Sequence, residues 1–127
     1  MIKNIPNKYT LKSLFEEINV LFRYKFDILY LPVDCTNNCN LGYAFINFNS
    51  PTHVVQFFHI FRAKKWKKFK SDKICELVFA KVQGRKDLLK HIEKGVPKDM
   101  PESRRPFFID VPKPDAKIEI PFVRINF

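Results

Sequence analysis

The segment from Leu41 to Phe48 restricts the fold most strongly, because it predicts a β-strand with two unlike faces. Side chains alternate across a strand, so Tyr43, Phe45 and Asn47 share one face. The opposite face carries an apolar set: Ala44, Ile46 and Phe48. If the apolar set packs on helices, the two aromatic rings lie on an open sheet face. The alternative is an aromatic-rich strand that is buried on both sides.

The neighbouring segments predict a four-stranded antiparallel sheet with two helices on one of its faces. Thr10 is a suitable N-cap for a first helix, and Ser50 followed by Pro51 begins a second. The first helix carries an apolar stripe that we assign to the core: Leu11, Leu14, Phe15, Ile18, Leu21 and Phe22. The strands are predicted at residues 2–5, 26–31, 41–48 and 75–82. This β-α-β-β-α-β order predicts an α+β, ferredoxin-like fold.

A third helix and a proline-rich extension follow the fourth strand. Residues 85–94 have helical composition with an apolar stripe, and so short a helix needs a partner surface. We expect it to pack against the sheet edge or partly across the aromatic face. The chain is therefore divided into a domain at residues 1–94 and an extension at 95–127, with a further strand at 118–127. That strand is free to pair with a sheet edge of this chain, to pair with another chain or to stay loose.

The charge of the chain favours a polyanionic partner. Lysine and arginine number 23 against 13 acidic residues, which gives a formal net charge of +10. The alternative is a basic surface that serves only solubility. No apolar stretch approaches membrane-spanning length, and no signal sequence opens the chain. We therefore expect a soluble, intracellular protein without a membrane partner.

The cysteines and histidines do not assemble into a recognisable chemical site. An odd number of cysteines argues against a disulfide framework, although Cys35 and Cys39 have the spacing of half a zinc site. The remaining candidate ligands show no second paired spacing: His53, His59, His91 and Cys75. The histidines also lack a paired carboxylate or nucleophile. We expect no metal, no cofactor and no catalytic residues.

The strand alternation places further side chains beside the two rings of the third strand. In the second strand a local irregularity would turn Ile28 and Tyr30 toward this face, and in the first strand Met1 and Lys3 belong to it. Each base that stacks on such a ring gains about 1–3 kcal/mol, so single-stranded RNA is the leading ligand. The predicted RNA-binding residues are Met1, Lys3, Tyr30, Tyr43, Phe45 and Asn47, with Lys64, Lys65, Lys67 and Lys68.

The four lysines of the second group lie just before the fourth strand, around Trp66. This position is near an edge of the aromatic face, where ammonium groups can meet phosphates. The alternative is a solvated basic loop. An indole among apolar neighbours is more often partly buried than stacked on a base, and we expect this for Trp66.

Several of these segments resemble one family closely. The octamer fits the RNA-contact strand of the RNA recognition motif at every position except Leu41 and a conservative Ile46. The opening residues 1–10, the segments 30–34 and 39–47, the Lys64-Lys65-Trp66 run before Phe69, and Gln83-Gly84 resemble the C-terminal RNA recognition motif of the Mei-two-like proteins. Those proteins regulate meiosis and development in fungi, plants and protists.

The resemblance implies sequence-selective RNA binding by a nuclear or nucleocytoplasmic regulator with further recognition motifs upstream. The strand that begins abruptly at Met1 also suggests a piece cut from a longer protein. By resemblance, Tyr43 and Phe45 take the stacking positions, and Met1 takes a position that is usually aromatic. Leu41 replaces a basic residue, which leaves Lys3 and the four lysines before the fourth strand to contact phosphate.

Two other functions remain open from the sequence. A variant of the same fold can bind a protein or peptide partner, and an occluded sheet face would distinguish it. The third helix and the following Phe107-Phe108-Ile109 segment are suited to such occlusion. An enzyme on a ferredoxin-like scaffold is the second alternative, and it lacks an assembled site.

Overall fold

Residues 1–95 fold into helices and an antiparallel sheet in the order that the sequence predicts, and a strand at residues 107–109 lies in the extension, where none is predicted. A computed structural model describes residues 1–34, 36–100 and 105 and the backbones of residues 107–109 and 122–124. The elements are β1 (Ile2–Lys3), α1 (Leu11–Phe22), β2 (Phe26–Tyr30), β3 (Tyr43–Phe48), α2 (Pro51–Phe61), β4 (Glu76–Leu77), α3 (Arg85–Gly95), β5 (Phe107–Ile109) and β6 (Phe122–Arg124). The α+β, ferredoxin-like fold is confirmed.

Both N-terminal caps that the sequence predicts are present. The Thr10 hydroxyl accepts a hydrogen bond from the amide of Ser13 at 3.1 Å, and the Ser13 hydroxyl accepts one from the amide of Thr10 at 2.8 Å. This reciprocal pair satisfies amides that the first turn of α1 leaves unpaired. Ser50 caps α2, and Pro51 occupies its first turn. The caps determine the residue at which each helix begins.

The strands follow the order β4-β1-β3-β2, and β5 and β6 extend the sheet beyond β2. All observed pairings are antiparallel. The pairing of β2 with β3 shifts register between Phe26 and Ile28, which is the predicted irregularity. The shift turns Ile28 and Tyr30 to one face while Leu29 keeps its contact with the core. β6 lies within the segment 118–127, and the division of the chain near residue 94 stays a prediction.

The main core lies between the sheet and the two helices α1 and α2. Its buried aromatic rings include Phe22, Phe26, Phe57 and Phe61, and Ile2 and Ile5 of the first predicted strand join them. One assignment to the core is wrong: Leu21 is 51% exposed. It lies at the margin of the apolar stripe in the last turn of α1, next to the fully packed Phe22.

All four strands predicted between residues 2 and 82 are longer than the observed ones, β2 by a single residue. The first strand ends at Lys3 because Asn4 adopts a left-handed backbone conformation with φ of 60°. The third strand begins after Gly42, whose φ is 87°. The largest difference is in β4, which was predicted at 75–82 and spans Glu76–Leu77. Its observed partner, β1, offers two residues for pairing.

Candidate nucleic-acid interface

Three aromatic rings meet on the sheet face opposite α1 and α2. The Phe45 ring is nearly parallel to the Tyr30 ring, with centroids 6.3 Å apart, and nearly perpendicular to the Tyr43 ring at 5.8 Å. Tyr43 and Phe45 are partly exposed, whereas Tyr30 is only 8% exposed. The alternation of β3 and the irregularity in β2 thus bring the three rings together as predicted. Two of them are accessible to a planar ligand.

The helix α3 covers part of this face. Leu88 and Ile92 pack with Ile28 and Tyr30 in a second buried cluster, separate from the main core. The ring of His91 contacts the Phe45 ring edge-on, with centroids 5.3 Å apart. Of the two positions predicted for the third helix, against the sheet edge or partly across the aromatic face, the structure shows the second. The expectation of an open face is wrong in part, because the apolar side of a short helix gains stability by covering apolar residues.

Asp27 links the sheet to the start of α3. Its carboxylate accepts a hydrogen bond from the Asn47 side-chain amide at 2.8 Å. The same carboxylate forms an ion pair with the Arg85 guanidinium at 3.2 Å. Asp27 is largely buried in an otherwise apolar strand. The sequence places Asn47 on this face and suggests a phosphate contact for Arg85, but it points to neither Asp27 nor the position of His91 beside Phe45. A lone acidic residue in an apolar strand was the available signal, because a buried carboxylate needs partners.

Lys3 lies on β1 beside the ring cluster, and Met1 directly precedes this strand. Lys3 pairs across the sheet with Tyr43 on one side and Glu76 on the other. Met1 is partly exposed, and its ammonium group donates a hydrogen bond to the carbonyl oxygen of Val78 at 2.9 Å. Burial lowers the pKa of the Met1 amine from its ordinary value of 8.0.

The basic loop between α2 and β4 is anchored by its aromatic residue and its backbone. Trp66 is 5% exposed, and its indole N–H donates to the carbonyl oxygen of Asn4 at 2.8 Å. The amide of Lys68 donates to the Tyr9 hydroxyl at 2.9 Å, and that hydroxyl donates to the buried carboxylate of Glu17. Burial and this hydrogen bond raise the pKa of Tyr9. The expected burial of Trp66 is confirmed.

Lys64, Lys65, Lys67 and Lys68 lie in the loop between α2 and β4, whereas the rings of the cluster lie on β2 and β3. The Lys68 ammonium pairs with Glu16 of α1 at 2.6 Å, and the Lys64 ammonium lies 4.7 Å from the centre of the Phe61 ring. Burial lowers the pKa of Lys64. Lys65 and Lys67 are exposed. Two of the four lysines therefore contact helical residues, and the other two are exposed to solvent.

The described part of the chain gives no support for a metal centre or a membrane span. No three histidine, cysteine, aspartate or glutamate side chains among the described residues are placed to hold a metal ion. Cys35 lies outside those residues, and Cys39 is partly exposed. Cys75 is buried, and burial raises its pKa to about 12, so its thiol stays protonated at neutral pH. No helix in the described ranges is long and apolar enough to cross a membrane.

Comparison with known proteins agrees with this geometry. Residues 1–93 match the family model for RNA recognition motif 2. Over 122 residues, which is 96% of the chain, the protein is 44% identical to Protein MEI2-like 2 of Oryza sativa subsp. japonica and 43% identical to Protein MEI2-like 1 of Arabidopsis thaliana. The chain spans 14% and 13% of the length of those two relatives.

The fold and the ring cluster define an RNA-binding module of the RNA recognition motif class. Within that class, the chain belongs to the RNA recognition motif 2 family, as a Mei2-like member. The sequence resemblance to the RNA recognition motif of the Mei-two-like proteins is therefore confirmed.

Proposed function

We propose that this module recognises single-stranded RNA by stacking bases on Tyr43 and Phe45. The supporting observation is the pair of partly exposed, mutually perpendicular rings on β3. A ring whose face is accessible can stack on any base, and each such contact contributes about 1–3 kcal/mol. The perpendicular arrangement gives the two rings different orientations, so successive bases would have to splay apart to use both.

The neighbours of the rings supply polar contacts for the same strand of RNA. Lys3 lies directly across the sheet from Tyr43 and is suited to a phosphate beside a stacked base. Asn47 shares the face, but one N–H of its side-chain amide already donates to Asp27. Its second N–H and its carbonyl oxygen would be the groups that contact a base edge. Met1 offers a flexible apolar contact rather than a rigid ring.

The helix α3 limits how much of the face RNA can use. In the observed arrangement Tyr30 is covered by α3 residues, and Phe45 is contacted by His91. RNA that stacks on Tyr43 and the free side of Phe45 is compatible with this position of α3. RNA that stacks on Tyr30 requires the helix to move. We propose that α3 competes with bases for the inner part of the face.

The direct test is a titration of fluorescently labelled single-stranded RNA with Tyr43→Ala and Phe45→Ala. Each substitution should weaken binding by about 1–3 kcal/mol. Phe69→Ala is the matched control, because Phe69 is exposed and packs beside Tyr9 of the loop region instead. Tyr43→Phe should retain binding, because it keeps the ring. Wild-type affinity in both alanine variants, with their melting temperatures unchanged, would contradict the proposal.

A second titration addresses the basic loop. Each phosphate neutralised on a single strand contributes about −0.7 to the slope of log affinity against log salt concentration. Substitution of the four lysines of the loop by glutamine should therefore flatten this slope. The control replaces four exposed lysines elsewhere: Lys12, Lys81, Lys94 and Lys98. Equal slopes in the two quadruple variants would assign the loop lysines to solvation.

The larger context is also part of the proposal. We propose that the module acts within a longer, nuclear or nucleocytoplasmic regulator of RNA that carries further recognition motifs. Fluorescent tagging of the protein in its own cells would test the location.

A protein or peptide partner is the alternative, and the cover of Ile28 and Tyr30 by α3 is the observation that favours it. Saturable binding to a peptide without saturable RNA binding by the wild-type chain would establish this alternative.

A further inference from the structure

One row of side chains crosses the aromatic face from β3 to β4. Lys3 of β1 pairs with Tyr43 on one side and with Glu76 on the other. Residues that lie directly opposite each other in antiparallel strands point to the same face of the sheet. Ile2, which precedes Lys3, is buried in the main core, so this row lies on the opposite, aromatic face. A ring, an ammonium group and a carboxylate therefore lie side by side on the surface proposed to bind RNA.

The carboxylate of Glu76 is unusual on such a surface. The chain carries a formal net charge of +10, and an exposed carboxylate repels the phosphates of RNA. The charge of Asp27 is balanced by its ion pair with Arg85. The ordinary role of Glu76 would be a similar cross-strand ion pair with Lys3. Within the described part of the chain, however, no ion pair joins the Lys3 ammonium to the Glu76 carboxylate, so the two groups present a donor and an acceptor separately.

Asn4 contacts the Glu76 carboxylate from the end of β1. Its side-chain amide donates a hydrogen bond to Oε2 of Glu76 at 3.4 Å. The backbone of Asn4 is left-handed, with φ of 60°, and its carbonyl oxygen accepts from the buried indole of Trp66. The indole thus anchors the turn from which the Asn4 amide reaches the carboxylate. Each carboxylate oxygen has two lone pairs, so both oxygens keep acceptor positions for a ligand.

An ionised carboxylate accepts hydrogen bonds and donates none, so it selects base edges by their donors. The Watson–Crick edge of guanine carries two neighbouring donors, N1–H and the N2 amino group, which match the two oxygens of one carboxylate. Adenine and cytosine present one amino group beside an acceptor nitrogen, and uracil presents one N–H between two carbonyl oxygens. The lone pairs of these acceptors are repelled by a carboxylate. Guanine is therefore the base that Glu76 favours most.

Lys3 supplies the donor that the same edge of guanine requires. Beside its two donors guanine carries the acceptor O6, and the ammonium group of lysine has three N–H donors and no acceptor. Tyr43 and Glu76 are two strand spacings apart, about 10 Å, with Lys3 between them. A guanine that stacks on Tyr43 with its Watson–Crick edge toward β4 would pass over Lys3 and reach Glu76. The ammonium group would keep further donors for a neighbouring phosphate.

We propose that Glu76 is a specificity-determining residue, which selects guanine for the base position on Tyr43. Lys3 donates to O6 of that guanine, and Asn4 is the positioning residue for the carboxylate. This inference rests on the proposed function, since a base must stack on Tyr43 before its edge can reach β4. The carboxylate weakens the attraction of the face for RNA of any sequence, and its hydrogen bonds to guanine offset this loss for one base.

The test titrates the full chain with four labelled RNAs, each of eight nucleotides, in which a single central nucleotide of an oligouridine is guanosine, adenosine, cytidine or uridine. The guanosine RNA should bind about tenfold more tightly than each of the others. An inosine RNA, which lacks the N2 amino group, should have an intermediate affinity. Glu76→Gln should reduce the preference for guanosine to about threefold or less, because an amide replaces one of the two acceptors by a donor.

Glu93→Gln is the matched control, because it removes the same charge from an exposed position of α3. It should keep the full preference for guanosine. If Glu76 acts only by repelling phosphates, Glu76→Gln will bind all four RNAs more tightly by the same factor, and that result would overturn the proposal. Asn4→Gly keeps a left-handed backbone and should lower the preference in part. An unchanged preference in Asn4→Gly would overturn the positioning role of Asn4.

The same titrations separate a failure of this inference from a failure of the proposed function. Equal affinity of the wild-type chain for the four RNAs, or a preference for another base, would overturn the selection of guanine. If Tyr43→Ala then weakens binding to all four RNAs, stacking on Tyr43 still holds and only the role of Glu76 is lost. If the wild-type chain shows no saturable binding to any of the four RNAs, both the proposed function and this inference are overturned.

Discussion

The two faces of the sheet carry similar sets of aromatic rings with different surroundings. On the helical face, Phe57 lies 4.4 Å from Phe61 and 5.2 Å from Phe22, between the sheet and two helices. On the other face, Phe45 lies 5.3 Å from His91 and 5.8 Å from Tyr43. The ring separations are comparable. The rings differ in their cover, because the helical face is enclosed by α1 and α2 and the other face is covered in part by α3.

This difference in cover, rather than a difference in ring geometry, distinguishes the structural aromatic cluster from the proposed binding cluster. A core ring loses its water permanently on folding, and its contacts contribute to the stability of the whole domain. In the proposed function, a ring under one short helix would exchange that cover for a ligand at a smaller cost in free energy. The ion pair between Asp27 and Arg85 and the apolar contacts of Leu88 and Ile92 set that cost.

The largest expected effect tests the enclosed cluster. Phe61→Ala should lower the free energy of unfolding by about 3–5 kcal/mol, because it removes a fully buried ring and leaves a cavity. Phe79→Ala is a control with the same chemical change at an 89% exposed position, and it should change the free energy of unfolding by about 0.5 kcal/mol or less. Urea unfolding measures both. Similar losses in the two variants would mean that the helical face is not the enclosed one.

The next effect concerns the cover of the binding face. Ile92→Ala should weaken the docking of α3 by about 2 kcal/mol or more, since Ile92 is fully buried. RNA should then bind more tightly, because a larger fraction of molecules exposes Tyr30 and Phe45. Glu93→Ala, at the neighbouring exposed position, is the control. Isothermal titration with the same RNA measures the change.

Weaker binding by Ile92→Ala than by Glu93→Ala would contradict the competition between α3 and bases. It would indicate instead that the docked helix presents contacts to RNA, for which the exposed Lys86 and Lys90 are placed on α3.

The sequence predicts the division into two faces well because strand alternation depends on local geometry. Tyr43 and Phe45 in β3 and the irregularity in β2 are read from consecutive residues, and the structure agrees. The cover of the site depends on where α3 docks, and its apolar stripe fits an edge or a face equally well. Asp27 and Arg85 lie 58 residues apart in the sequence, so no local pattern joins them. The length of β4 likewise depends on its neighbour rather than on its own alternation.

A smaller effect separates the basic loop from the ring cluster. Trp66→Phe keeps the aromatic body but removes the N–H that donates to the Asn4 carbonyl, which should lower the free energy of unfolding by about 1 kcal/mol. RNA affinity should change little, because the indole packs in the main core with Tyr9. Thermal unfolding and RNA titration of the same variant check both parts. A loss of RNA affinity comparable with that of Tyr43→Ala would connect the loop to the binding face.

The smallest effect concerns water at the edge of the aromatic face, where the Met1 amine lies. Burial lowers the pKa of this amine in the folded protein below its ordinary value of 8.0, so the unfolded chain binds more protons in the interval between the two values. The free energy of unfolding should therefore rise as the pH increases through that interval and level off above pH 8. Acetylation of the amine removes the titrating group, so the acetylated chain should lack this component of the rise. Urea unfolding between about pH 5 and pH 9 measures the free energy of unfolding of both forms. All other titratable groups contribute equally to the two forms, so their contributions cancel in the difference. A constant difference across this range would show that the amine is as well hydrated as in the unfolded chain and that the edge of the face is open to water.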